Sequence, residues 1–267
     1  MKDERRAILY LDMWVGERIQ EMKLAGIRRY AAARGWSVMA FSESESRPEN
    51  MRKILAKRKP VGCIVECSAA HEDLLPRLFG KTPVVYLDGR RNLYGGGVPK
   101  VVHDGEATTR AAFRELSENR PESYAVVDYR EYRPWARIRV REFTRLAADA
   151  GKPLYKFLWR DENESFRSKR LEEWVLKLPW KCAVFAVNDD TAAEVVGACR
   201  RIGRKIPTEM TLLGVDNLER VCEALDPTVS SIQVDFERAG YHAAKMLDGL
   251  ISPRNEVCRD DRFGPLM

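Results

Sequence analysis

The sequence predicts an α/β fold of two doubly wound parallel-sheet lobes with a ligand cleft between them, and three observations carry it. Short β-rich apolar runs alternate with amphipathic helical stretches, the spacing that parallel strands joined by right-handed crossovers require. The alternation pauses near residue 118 and restarts at 124, so there are two such series. A polar residue closes most of the runs, and in open α/β sheets ligands sit beyond the carboxyl ends of the strands.

The first series opens with AILYLD at 7–12, a strand. Residues 16–34 follow as a helix with Met22, Ile27 and Tyr30 on helical spacing and Gly35 closing it. A strand at 36–41, a Pro-opened helix at 48–58, a strand at 61–66, a short helix at 72–79 and a strand at 83–87 come next. A further strand at 98–103 and a helix at 106–117 complete it. The second series has strands at 124–127, 154–158, 183–187, 211–215 and 229–234. Its helices are expected at 135–150, 166–178 and 191–204, and the last helix at 236–251. The strand-closing polar residues are Asp12, Glu66, Asp88, Asp104, Asp128, Asn188 with Asp189, and Asp216 with Asn217.

Composition narrows the function. The 267 residues, 45% of them hydrophobic, can bury a sizeable core. No apolar run approaches the ~18–20 residues of a membrane span, and the N-terminus lacks a secretory pattern. The six cysteines form no C-x-x-C pair and sit mostly in apolar segments, as reduced core thiols do. Three scattered histidines offer no regular metal-ligand spacing, so no metal is expected. The net charge of +6 is spread out. Its densest cluster, RKILAKRKP at 52–60, is expected to be a solvated helix face. No strand is followed by G-x-G-x-x-G, no G-x-S-x-G elbow is present, and no nucleophile–base set stands out. Neither a cofactor nor an enzyme activity is expected.

The corner AVFAVNDDTAAE, 183–194, is open to two readings. Asp189, Asp190 and Thr191 suit a helix start, where acidic side chains accept from free N–H groups and favour the positive end of the dipole. Alternatively, Asn188 and Asp189 point into a cleft at a polar ligand and Asp190 is left to the helix terminus, which is the expectation taken forward.

The second half carries an ordered set of motifs: Asn188-Asp189, Gly203, Ile206-Pro207, Gly214-Val215-Asp216-Asn217, Pro227-Thr228-Val229-Ser230-Ser231, and Gly240 with Ala243. Spanning about seventy residues, this set resembles the effector-binding domain of lac-repressor-family transcription regulators. WARIRVREF at 135–143 and VDFERAGYHAAKMLDGLI at 234–251 are similar to the xylose-operon regulators within that family. The resemblance implies a periplasmic-binding-protein-like pair of lobes crossed three times by the chain. One lobe would hold 7–117 plus 235–255, the other 119–233, with 256–267 a truncated tail. It also implies a sugar-sensing, cytoplasmic, homodimeric regulator whose operator DNA is met through a DNA-binding domain absent from this chain. A periplasmic sugar-binding protein of a transporter shares the fold and is the alternative.

The resemblance places Asn188, Asp189, Asp216 and Arg139 at the effector. Carboxylate and guanidinium forks satisfy vicinal hydroxyls two at a time. Trp14 and Trp135 could stack on a monosaccharide's C–H face, although Trp14 also fits a lid or core residue and Trp135 a helix anchor. Arg139 also fits a solvated helix face among its arginine neighbours. Asp12, Glu66, Asp104 and Asn217 join the candidate set as strand-closing residues. The first-strand loop, DMWVGER, departs from the xylose-type pattern, and Gly105 stands where the family has Asn after Asp104.

Overall fold

The computed structural model describes residues 6–13, 18–42, 44–66, 74–88, 97–252 and 260–266. The chain divides into two compact units, residues 1–103 with 235–263 and residues 104–234 with 264–267. In chain order the first unit contributes β1 (Ala7–Met13), α1 (Arg18–Ala33), β2 (Ser37–Ser42), α2 (Pro48–Arg58), β3 (Gly62–Glu66), β4 (Val84–Leu87) and β5 (Lys100–His103). The second unit holds α3 (Gly105–Glu118), β6 (Ser123–Val127), α4 (Pro134–Asp149), β7 (Leu154–Phe157), α5 (Glu164–Leu176), β8 (Cys182–Ala186), α6 (Asp189–Ile202), β9 (Met210–Val215), α7 (Glu219–Cys222) and β10 (Ser230–Ile232). The chain then returns to the first unit as α8 (Phe236–Ile251) and β11 (Asp260–Phe263).

Both sheets are parallel and wound alike. The orders are β2-β1-β3-β4-β5-β11 and β7-β6-β8-β9-β10. In each, the direction of winding reverses between the first and third strands of the order of synthesis, the switch point beside which α/β sheets take ligands. The central strands β3, β4, β6 and β8 are buried on both faces, which is why they appear in sequence as continuous apolar runs rather than alternating ones, whereas the edge strands β2, β7 and β10 are partly exposed. One face of the first sheet packs Leu9, Leu11, Cys63, Val65 and Tyr86 under Met51 of α2. The other is covered by α8, which lies against α1. In the second unit α5 and α6 cover Ala125, Val127, Val184 and Leu212, whereas α3 and α4 cover the opposite face. The described cysteines 63, 182, 199 and 222 are buried free thiols, as expected of core residues.

One expectation about the lobes needs correction. Helix α3, placed with the first lobe, belongs to the second unit. Its Phe113 ring lies 4.6 Å from Tyr124 and 5.4 Å from Phe143, and its Arg110 bonds Glu142 of α4. The chain therefore leaves the first unit before α3, at His103–Asp104, rather than after it. Within the segment expected as a truncated tail, the described residues 260–266 include β11, which pairs in register with β5, and Leu266 N–H donates to Gln233 O (2.9 Å) in the second unit. A local apolar pattern assigns a helix to no particular sheet; only the rings it meets do so.

Helices α1 and α8 touch backbone to backbone. A Cβ on Gly240 would sit 1.8 Å from the Lys23 carbonyl oxygen, and one on Gly26 would sit 1.9 Å from that of Glu237. Backbone atoms cannot turn aside as a side-chain end can. Gly240→Ala is expected to lower the unfolding free energy by about 1–3 kcal/mol or more. A urea titration reads this directly, and an unchanged midpoint would mean that the two helices part at no energetic cost.

Candidate functional site

The strand ends of the second unit carry several buried polar and charged side chains, Asp128, Asn188, Asp189 and Asp216. At the end of β8 the Asn188 Oδ1 accepts from Thr191 N–H (3.0 Å) and Thr191 Oγ1 (2.6 Å), so Asn188 caps α6. That fixes the amide's orientation: the oxygen faces the helix, and the NH2 group is the edge left for another acceptor. Asp189 is fully buried. Its Oδ2 accepts from Leu218 N–H (2.7 Å) and its Oδ1 from Ser231 Oγ (2.6 Å). Burial nevertheless pushes the Asp189 carboxyl above its usual range, against the opposing Ser231 and Leu218 bonds. Asp190 is exposed at the helix start.

Asp216, at the end of β9, is 8% exposed. Among the described residues its carboxylate receives one long bond, from Arg139 Nη2 at 3.4 Å. Burial drives the Asp216 carboxyl up to about 7, with Arg139 pulling it down and Asp189 pushing it further up. Asp216 and Asn217 have positive φ values of 104° and 50°. The first is a poor region for any side chain, at a cost of order 1–3 kcal/mol that clusters at ligand sites. Arg139 itself is 3% exposed. Its Nη1 also donates to the Val187 carbonyl, and Trp135 lies over the guanidinium with ring centroid and Cζ 5.0 Å apart. The half-buried Trp135 also meets Tyr129 at 5.3 Å. Asp128, at the end of β6, takes Arg137 Nη1 (2.8 Å) and Trp159 N–H (3.1 Å), and so ties down the loops after β6 and β7.

The strand ends of the first unit hold an ion triad. The buried Lys23 Nζ donates to Glu66 Oε1 (2.5 Å) and Asp88 Oδ2 (2.5 Å). Tyr10 Oη donates to Glu66 Oε2 (3.0 Å), and His103 N–H to Asp88 Oδ1 (3.1 Å). Burial works against the Lys23 ammonium, but the Asp88 and Glu66 carboxylates outweigh it and hold its pKa above the ordinary lysine value. Desolvation leaves Glu66 raised in spite of Lys23, whereas for Asp88 the Lys23 and His103 charges overcome desolvation and lower it. Phe236, at the start of α8, lies over Lys23 at 5.6 Å.

The candidates thus separate. Arg139, Asp216, Trp135 and the Asn188 amide come together on one face of the second unit. Asp189, expected to face a ligand, does not: both of its oxygens are held inside the fold. Arg139 is no solvated-face residue, because its helix turns it inward under Trp135. Glu66 is sequestered by Lys23 and Tyr10. Asp104 caps α3 by accepting from Ala107 N–H (2.8 Å). Asn217 is exposed, with its N–H donating to Ser231 Oγ (3.0 Å). Trp14 and the side chain of Asp12 lie outside the described residues. Lys23 and Tyr129 were not among the candidates, and Ser231 was present only as part of the Pro227–Ser231 motif. Lys23 was detectable as a lysine four residues before Ile27 on the apolar stripe of α1, a position where a solvated lysine has no place.

The corner yields a prediction. Asp189→Ala strands the Leu218 N–H and the Ser231 hydroxyl and is expected to cost about 1–3 kcal/mol of stability. Asp190→Ala removes an exposed acid at a helix N-terminus and should cost about 0.3–1 kcal/mol. Paired thermal melts compare them, and equal melting points would refute the bracing role. Asp216 sets a pH dependence as well. Its folded pKa is raised above the unfolded value, so the folded unit binds the proton more tightly. Its contribution to stability is greatest below about pH 4 and is lost as pH rises towards 7, at up to about 1.4 kcal/mol per pH unit. Asp216→Asn should flatten that part of a stability–pH curve.

Comparison with known proteins agrees with this architecture. A model of the periplasmic binding protein-like domain matches residues 113–262. The HTH-type transcriptional repressor PurR of Aliivibrio fischeri (strain MJ11) is 24% identical over 249 residues, covering 83% of this chain and 67% of the repressor. The xylose operon regulatory protein of Escherichia coli (strain K12) is 26% identical over 176 residues, covering 63% of this chain and 45% of that protein. The chain therefore spans from under half to two thirds of the length of these relatives. A solved structure of the xylose-binding transcription activator xylR superposes with a TM-score of 0.79 at 22% identity, covering 100% of this chain and 68% of that one. The family match extends over more than half of the chain and runs through β6 to β10, α8 and most of β11, so the chain belongs to the periplasmic binding protein-like domain family.

Proposed function

We propose that this chain is the effector-sensing part of a transcription regulator, that its effector is a sugar, and that operator DNA is recognised by another domain. The relatives are regulators rather than enzymes, and this favours a sensing domain over a transporter's binding protein. Two of the similar proteins carry xylose in their names. No helix among the described residues is long and apolar enough to cross a membrane.

The observation that carries the reading is Asp216. A buried carboxylate with a single long bond is an acceptor in want of a donor. Sugar hydroxyls are such donors, and the half-buried Trp135 and Tyr129 rings beside Arg139 suit the C–H face of a pyranose or furanose. The Asn188 amide adds a donor for a hydroxyl oxygen.

A calorimetric screen of pentoses and hexoses should find a binder. At 100 times its dissociation constant that sugar should stabilise the domain by about 2.7 kcal/mol. A donor to Asp216 favours the carboxylate form, so bound Asp216 titrates below its free value of about 7. Affinity should therefore rise about tenfold from pH 6 to pH 8, and Asp216→Asn should abolish that dependence. A panel in which amino acids or nucleobases bind and no sugar does would overturn the sugar assignment.

A further inference from the structure

The carboxyl ends of the second sheet carry two aromatic ring pairs, of which the sugar contact proposed above uses one. The ends follow one another in the order β9, β8, β6 and β7, with Asp216 after β9, Asn188 after β8, Tyr129 after β6 and Trp159 after β7. Neighbouring strands lie about 4.8 Å apart, so these ends span roughly 14 Å, more than a single pyranose covers. Trp135 and Tyr129 form the pair beside Arg139 (5.3 Å between centroids), and Tyr132 and Trp159 form the outer pair (5.8 Å). Tyr132 is 55% exposed and Trp159 is half-buried. Their planes cross at 69°, an edge-to-face contact in which the faces of one ring take no part. One buried carboxylate fixes a ring of each pair. Asp128 Oδ1 accepts from Tyr129 N–H (2.9 Å), and its Oδ2 from Trp159 N–H (3.1 Å) and Arg137 Nη1 (2.8 Å). Arg167 Nη2 donates to the Asp128 carbonyl (2.7 Å) and anchors that residue in turn. The two pairs are thereby held at a set separation before any ligand arrives, and less ordering is left for binding to impose.

We infer that the effector is at least two linked sugar rings long: the first meets Asp216, Arg139 and the Trp135–Tyr129 pair, and the second stacks on Tyr132 and Trp159. This rests on the sugar-sensing role proposed above and adds the length of the ligand. Exposed aromatic surface that continues a binding site is itself a mark of ligand contact. The charges around the outer pair favour a sugar there over a hydrocarbon group. Arg130 and the Glu131–Arg133 ion pair flank Tyr132, and Arg160 and Asp161 follow Trp159 directly. An apolar group stacked on these rings would desolvate such neighbours without bonding them. A second sugar ring covers the aromatic face with its C–H groups and offers hydroxyl donors and acceptors at its edge.

The test sets monosaccharides against their own disaccharides. D-Xylose is compared with xylobiose, D-glucose with cellobiose and maltose, and D-galactose with lactose, each titrated calorimetrically into the protein. In whichever series binds, the disaccharide is expected to bind at least about tenfold more tightly than the monosaccharide. Trp159→Ala and Tyr132→Ala should each remove most of that gain and leave the monosaccharide's affinity within about twofold of the parent's. Tyr132, as an exposed residue, keeps the test open if Trp159→Ala fails to fold. Trp180→Ala is the control: this tryptophan is 57% exposed but precedes β8, at the opposite ends of the strands, and its loss should change neither affinity. A monosaccharide that binds as tightly as its disaccharide, or ring variants that weaken both alike or neither, would overturn the inference and leave the sugar assignment standing. If no sugar of either length binds, the sugar assignment falls and the inference falls with it.

Discussion

The Asp189 carboxylate is the interaction on which the second unit's strand ends depend. It starts α6, yet both of its oxygens serve other parts of the chain: the Leu218 N–H that leads into α7 and the Ser231 hydroxyl on β10. Gly214 makes the arrangement possible, because a Cβ there would stand 2.3 Å from Asp189 Oδ1. Three separated motifs, Asn-Asp, Gly-x-Asp-Asn and the Ser-Ser of the last strand, are therefore one interaction seen from three places in the chain. Buried charge tolerates this position only because hydrogen bonds surround it; removing one partner leaves the rest desolvated and unsatisfied.

The same carboxylate shapes its neighbour. Asp216 stands one residue beyond β9, near enough to Asp189 to be pushed towards neutrality, and Arg139 only partly compensates. A protein selected for stability alone would not keep an under-bonded acid on a strained backbone there. Stability given up at one position in exchange for an acceptor held ready is what the proposed effector-binding role of Asp216 accounts for. The bonds that brace it, Asp189 to Leu218 and Ser231 and Asp128 to Arg137 and Trp159, keep that acceptor in place without themselves facing a ligand.

The first unit solves the problem of a buried charge differently. Lys23 faces two carboxylates at once, and the glycines at 26 and 240 let α8 come close enough for Phe236 to cover the ammonium. Each half of that arrangement requires the other. A side chain at either glycine would lift α8 and admit water to an ion triad whose strength depends on its exclusion. Glu66 is thereby closed off, and Asp88 is left as the member of the triad that reaches solvent.

Strand–helix alternation, two series of strands, buried strands without polar alternation and the helix-ending glycines follow from local chemistry, and they were legible in order along the chain. The apolar spacing of the first helix was legible too, although of Met22, Ile27 and Tyr30 only Ile27 is fully buried. Asp189 shows where such reading stops. An acid at a helix start looks the same in sequence whether it accepts from its own helix, from a ligand, or from a strand forty residues away; only the fold brings Leu218 and Ser231 to it. Arg139 and Lys23 are similar cases, in which one residue's rotation about a helix axis separates a solvated charge from a buried one. Helix α3 went to the other unit because its apolar stripe fits any sheet, and the Tyr124 and Phe143 rings decided which. Periodicity and capping are short-range properties carried by neighbouring residues, whereas partner choice for a charge or a helix face is a long-range property, settled only when distant segments meet.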